Sequence, residues 1–243
     1  MDRMWIITAV VLAFAITSIF GVWLLPILRK LHFGQTILEI GPRWHKNKQG
    51  TPTMGGIMFI FGIVISVVAS YLLMQMGDGV NLRPDGAAVK ARLFYGLMLA
   101  IAFGLIGFVD DYLKIVRKEN EGLTPNQKLF LQLLFGATYL ALLYISGNRS
   151  TALVVPFMGV LDIGVFYWPF ALFAILALSN AVNFTDGLDG LLSSVTFVVA
   201  IAYMILTAIL GQWEMEILAA GMAGGCLGFL VWNFYPAKVF MGD

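Results

Sequence analysis

The chain has 243 residues, 60% of them apolar and only 12% charged, where an ordinary soluble domain carries roughly 25% charged residues. That balance excludes a soluble globular protein and identifies an integral membrane protein. The formal charge of +1 provides no basic field, so no nucleic-acid partner is expected.

The first apolar run, Trp5–Leu28, is too long for a signal-peptide core, and no small-residue cleavage pattern follows it. It reads as a membrane helix that is retained. Six further runs approach the roughly 20 residues that a bilayer core demands: Met54–Met76, Leu93–Val109, Leu129–Ile145, Phe166–Leu178, Leu191–Leu210 and Ile217–Asn233. Aromatics typical of a membrane interface mark many of their ends, among them Trp5, Trp23, Tyr71, Tyr144, Trp168, Trp213, Trp232 and Tyr235. No repeat, low-complexity tract or linker divides the chain. The expected fold is therefore an all-α polytopic membrane protein, one domain over residues 1–243, with seven transmembrane helices. The lone cysteine, Cys226, lies inside an apolar run and reads as a small buried hydrophobe.

The connections differ in charge. Those after spans one, three, five and seven carry Arg29, Lys30, Arg43, Lys46, Lys48, Lys114, Arg117, Lys118, Lys128 and Lys238. The opposite side holds Arg3, Arg83, Lys90, Arg92 and Arg149. The positive-inside rule puts the first group in the cytoplasm and the N-terminus outside. On the outer side, residues Gly77–Ala91 read as a polar loop. Residues Ala152–Val165 read as two short β-type runs punctuated by Pro156, Gly159 and Gly164, a possible hairpin on the outer face.

Four polar stretches fall on the predicted cytoplasmic face. The first, HKNKQGTPTMGG (His45–Gly56), joins Lys46 and Lys48 to a hydroxyl- and glycine-bearing turn at a helix start. It suits an anion site built on free backbone N–H groups, or simply a capped helix beside ordinary lysines. His32 and His45 have no Cys/His spacing and read as interfacial residues. The second, GFVDDYLK (Gly107–Lys114), sets two adjacent carboxylates against hydrocarbon. Left unpaired they are costly, so a divalent cation or Lys114 must compensate them, unless they form a solvated helix end. Downstream, Thr124-Pro125-Asn126-Gln127 reads as a capping box, with Lys128 either structural or aimed at the same loop.

The third stretch, NAVNFTDGLDGL (Asn180–Leu191), offers Asp186, Asp189, Asn180 and Asn183 between two apolar runs. Gly187 and Gly190 allow a sharp turn and close approach to a ligand, although a solvated turn between helices would look similar. The fourth, YPAKVFMGD (Tyr235–Asp243), adds Phe240, which can stack on a planar base, and another carboxylate, Asp243. Oxygen donors without thiolate or paired histidine point to Mg²⁺ or Mn²⁺. Carboxylates, Mg²⁺ and lysines are the parts that phosphoryl transfer uses. At a bilayer surface, one substrate would be a lipid phosphate and the other a nucleotide-linked compound.

GTPTMGG, GFVDDYLK, NAVNFTDGLDGL and VFMGD resemble, in order and spacing, the phospho-N-acetylmuramoyl-pentapeptide transferase family, within the polyprenyl-phosphate N-acetylhexosamine-1-phosphate transferase superfamily. GTPTMGG and LTPNQK (123–128) look like that branch specifically. The resemblance implies transfer from UDP-N-acetylmuramoyl-pentapeptide to undecaprenyl phosphate, giving lipid I and UMP, with Mg²⁺, at the cytoplasmic face of a bacterial inner membrane, by a homodimer. It implies that Asp243 and Asp186 are metal ligands and that Asp110, Asp111, Asp186 and Lys114 form the catalytic group. Gly187, Leu188, Asp189 and Phe240 would hold the uracil. Lys48, Thr53, Lys114 and Asn233 would contact the diphosphate or ribose, and Asn183 would line the nucleotide–metal region. Family members continue past MGD through further helices to a histidine-rich loop, so a chain ending at Asp243 is expected to lack transferase activity. The alternatives are a sister transferase with another UDP-aminosugar donor, or a cation transporter, whose sites usually sit mid-span rather than at one face.

Overall fold

The computed structural model describes residues 3–30, 50–76, 86–117, 119, 121–155 and 157–243. Lys48, with Lys46, His45, His32 and Arg43, lies outside the described residues, as do Gly77–Asp85, Lys118 and Pro156.

Among the described residues seven helices are long and apolar enough to cross a membrane: α1 (Met4–Lys30), α2 (Gly56–Met76), α3 (Gly86–Arg117), α4 (Pro125–Ile145), α5 (Tyr167–Thr185), α6 (Leu191–Ile209) and α7 (Trp213–Asn233). In hydrocarbon a backbone must bond within itself, which selects helices for these runs. Between α4 and α5, β1 (Ala152–Val155) pairs antiparallel with β2 (Gly159–Asp162), in the register Leu153 opposite Leu161 and Val154 opposite Val160. The expected hairpin is present. The capping box also forms: Thr124 accepts from the Gln127 N–H, Gln127 reaches back to the Thr124 N–H, and Pro125 begins α4.

Helix α7 is the axis of the bundle, packed by α1, α2 and α6. Its small residues permit this approach. A β-carbon on Gly224 would collide with the Val10 carbonyl of α1, and one on Gly228 would lie 2.7 Å from the Phe14 carbonyl. Close backbone approach of this kind, rather than hydrophobic burial, drives helix association in lipid. The Trp232 indole N–H donates to the Ser18 carbonyl at 3.0 Å, which locks the other end of the α1–α7 contact. Cys226 is buried in α7, as expected. Helices α3, α4 and α5 follow as a row, with α3 against α2 and α7.

Helices α4 and α7 each start four residues before the predicted span, and α3 and α5 run longer still. Helix α3 starts at Gly86, so residues 86–91 are helical rather than loop, and it continues through Asp110 and Asp111 to Arg117. Helix α5 continues past Leu178 through Asn180 and Asn183 to Thr185. Hydropathy ends a span at its first polar residues. A helix goes on wherever those polar groups face partners inside the protein instead of lipid.

Candidate active site

The site lies at one end of the bundle, where four stretches distant in sequence meet. Its floor is a pairing between residues 50–56 and 239–243. The Phe240 N–H donates to the Pro52 carbonyl (2.8 Å), and the Gly55 and Gly56 N–H groups donate to the carbonyls of Phe240 (2.9 Å) and Met241 (2.8 Å). Those glycine donors open α2 and are already satisfied, so they are not the free anion-binding groups expected from the motif. The glycines serve closeness: a β-carbon on Gly55 would sit 2.7 Å from the Phe229 ring. Met54, at φ 72°, takes a left-handed turn that fits a long unbranched side chain poorly. Its side chain is buried with Val239, Met58 and Phe229, beneath the site.

On this floor stand three carboxylates. Asp110 and Asp111 are 3% and 6% exposed, and with Asp243 they offer oxygens that all lie within 4.8 Å of one another. Lys114, one turn further along α3, bridges all three: 2.6 Å to Asp110, 3.2 Å to Asp111 and 2.8 Å to Asp243. Neighbouring residues on a helix diverge, and Lys114 reaches both acids because it lies at i+4 from one and i+3 from the other. Asp110 also accepts from the Leu123 N–H (2.9 Å), which ties the α3–α4 connection to the site. Asp111 accepts from the Asp243 N–H (2.9 Å), which fixes the 239–243 segment over α3.

The Asp243 carboxylate is held from three sides. Lys114 and Lys128 donate to one oxygen (2.8 and 3.0 Å), and Asn183 donates to the other (3.2 Å). Burial would raise its pKa. The hydrogen bonds with Asp110 and Lys114, and the charges of Lys114 and Lys128, overcome that and hold it well below the usual carboxylate range. Gly242 (φ 80°) passes so close that a β-carbon there would strike Asp111 and lie 2.9 Å from the Thr53 hydroxyl, which puts Thr53 beside the segment that carries Asp243.

The structure thus gathers Asp110, Asp111, Lys114, Asn183, Asp243 and Thr53. Among the described residues Asp186 stands outside the carboxylate trio. It is half-buried at the end of α5, its N–H bonded to the Asn183 carbonyl (3.2 Å). Gly187 and Leu188 are exposed on the following connection, and Phe240 is half-buried.

Asn233 and Asp189 emerge with internal partners rather than as open ligand groups. Asn233 is 1% exposed. Its oxygen accepts from the Gly190 N–H (3.0 Å) and Ser193 hydroxyl (3.5 Å), and its amide donates to the Val239 carbonyl (2.9 Å). Asp189 accepts from the Ala237 N–H at 3.0 Å. Both clamp the start of α6 to the 233–243 segment. Asn233→Leu should therefore lower stability by about 2 kcal/mol, because it leaves two buried backbone groups unpaired. Thermal unfolding in detergent would register this, and an unchanged midpoint would contradict the clamp.

Two contributors were not assigned from sequence. Lys128, left open between two roles, is a direct partner of Asp243. Gln132, one turn further along α4, exchanges amide hydrogen bonds with Asn180 at 3.0 and 3.5 Å, joining α4 to the helix that carries Asn183. The legible signal was their i, i+4 spacing, a polar stripe on an otherwise apolar helix.

Comparison with known proteins agrees with this arrangement. Glycosyl transferase family 4 matches residues 93–243, and the phospho-N-acetylmuramoyl-pentapeptide-transferase signature 1 matches residues 48–60. The chain is 40% identical to the phospho-N-acetylmuramoyl-pentapeptide-transferase of Acetivibrio thermocellus, over 96% of this chain and 66% of that protein. It is 42% identical to those of Desulforamulus reducens, covering 96% of this chain and 67% of the relative, and of Clostridioides difficile, covering 96% and 68%. The chain thus spans about two thirds of the length of these curated relatives. By its matched signature, its identity to these relatives and the order of its four motifs, the chain belongs to the phospho-N-acetylmuramoyl-pentapeptide-transferase family.

Proposed function

We propose that this site transfers phospho-N-acetylmuramoyl-pentapeptide from its UDP-linked donor to undecaprenyl phosphate, releasing UMP and giving lipid I. The observation that carries the proposal is the Lys114-centred trio of carboxylates at one end of a bundle of membrane-spanning helices. A lipid phosphate anchored in the bilayer and a soluble nucleotide can meet only at such an end.

The residues fit a divalent cation. Three carboxylates facing two ammonium groups offer more negative than positive charge once all are ionised, and an all-oxygen set suits Mg²⁺. Asp110, Asp111 and Asp243 would hold the ion, with Asp186 joining on the nucleotide side. Bound Mg²⁺ supplies charge neutralisation of phosphate oxygens and orientation of the leaving UMP. Lys114 and Lys128, which already stand at the carboxylates, would face the diphosphate. Asp110 or Asp111 would orient or deprotonate the lipid phosphate. Thr53, Asn183 and, outside the described residues, Lys48 would steady the donor, with Gly187, Leu188 and Phe240 around the uracil. In this reading the site faces the cytoplasm of a bacterial inner membrane and the protein works as a homodimer.

The test is UMP release by the full-length protein in detergent, with both substrates and with each omitted. Release is expected to require both, to stop when EDTA removes the metal, and to return with added Mg²⁺. Release supported by UDP-N-acetylglucosamine instead would move the protein to a sister activity. Release indifferent to EDTA would sink the metal assignment.

A further inference from the structure

We propose that the β1–β2 hairpin is a lipid-docking element that lies in the headgroup layer of the bilayer face opposite the carboxylate cluster. Helix α4 begins at Pro125, carries Lys128 of the site in its first turn and ends at Ile145; its 21 residues set the hairpin about 30 Å away at 1.5 Å per residue. Helix α5 returns from the hairpin to the site at Asn183.

The hairpin is apolar on both faces and buried on neither, with Leu153 and Val155 half-buried on one of them. Phe157 is wholly exposed, and Met158, Val154 and Val160 are 80%, 79% and 72% exposed, while Leu161 on the other face is half exposed. A two-stranded hairpin with no buried face is marginal at best in water. Among the described residues its strands form a two-stranded sheet, β1 paired with β2. Residues 151–161 contain no ionisable side chain. The charges, Arg149 and Asp162, stand at its base.

The base identifies what covers it. Only residues 146–151 and 163–166 separate the strands from α4 and α5, so the hairpin cannot leave the membrane boundary. Tyr144, Tyr167 and Trp168 form an aromatic belt there, with ring centroids 5.3 Å apart for Tyr144–Trp168 and for Tyr167–Trp168. Such belts sit at headgroup level. The Arg149 guanidinium lies 5.0 Å over the Tyr144 ring, a cation at the belt that suits lipid phosphates. The apolar hairpin surface is thus continuous with the lipid-facing sides of α4 and α5.

A further observation concerns the tip. Phe157 has φ 68°, a left-handed backbone that glycine or asparagine adopts without strain and a bulky aromatic does not. Bearing a large ring in that position makes sense if the ring has somewhere apolar to go. Aromatic and aliphatic groups that enter the acyl boundary, above a polar base, are what interfacial anchoring uses.

The experiment places a nitroxide at Met158→Cys in a Cys226→Ala background of the full-length protein, reconstituted in phosphatidylethanolamine–phosphatidylglycerol liposomes. Collision with oxygen and with a water-soluble nickel chelate is read by power saturation. Phe173→Cys, on the lipid-facing middle of α5, and Ser150→Cys, at the hairpin base, are the references. The oxygen-to-nickel accessibility ratio at Met158 is expected to be several-fold above that at Ser150 and to approach that at Phe173. A ratio equal to that at Ser150 would place the tip in water and overturn the proposal. Low collision with both reagents, with broadening removed by dilution with unlabelled protein, would show a second copy covering it and would equally overturn it.

Discussion

Asp243→Asn is expected to lower UMP release by the full-length protein about a thousandfold or more, with little change in thermal unfolding. The asparagine keeps the shape of the side chain and an acceptor for Asn183, and the backbone N–H still donates to Asp111. What disappears is the charge that Lys114 and Lys128 share at 2.8 and 3.0 Å, and one of three candidate metal ligands. Losses of this size are typical when a group that stabilises developing charge is removed from a preorganised site. The diagnostic measurement is kcat against Mg²⁺ concentration. The variant should need far more metal and still not recover. Turnover within tenfold of the parent would move the cation away from Asp243, towards Asp186.

Lys114→Met separates the structural from the chemical role of the cluster. The lysine is the common partner of Asp110, Asp111 and Asp243, and its removal leaves two nearly inaccessible carboxylates uncompensated. Breaking a buried ion pair from one side costs about 3–5 kcal/mol; with Lys114 about a third exposed, the lower end is expected. The unfolding midpoint in detergent should fall by several degrees. Mg²⁺ should then restore more stability to the variant than to the parent, because the cation takes the place of the lost ammonium and binds the folded state alone. Turnover should remain low even with Mg²⁺ present, since the same lysine is assigned to the diphosphate. A variant as stable as the parent in EDTA would show that the three acids are not held together by Lys114.

Much of the site was legible because each part carries a local chemical oddity. Paired acids against hydrocarbon are rare enough to point inward, and Asp110 and Asp111 do so. The hydroxyl-and-glycine turn before α2 and the MGD segment were each conspicuous. Their relation was not: Phe240 pairs with Pro52 across 188 positions, and nothing in either stretch names the other. Asn233 shows the converse. The family resemblance implies a diphosphate or ribose contact for it, yet the fold buries it as the clamp between Gly190 and Val239. Lys128 could be read either way, because a lysine one turn past a helix cap is commonplace until a carboxylate is found facing it.

The sequence by itself determined the class of protein, the number of spans, the α4 cap, the hairpin and the residue types of a metal–phosphate site. All of these follow from short-range rules: span length from bilayer thickness, capping from four consecutive residues, and donor chemistry from side-chain identity. Tertiary structure decided where α3 and α5 end, which acids share an ion-sized space, and which polar residues position others. Those outcomes depend on which helices become neighbours. That in turn depends on how closely the small residues of α7 let α1 and α2 approach.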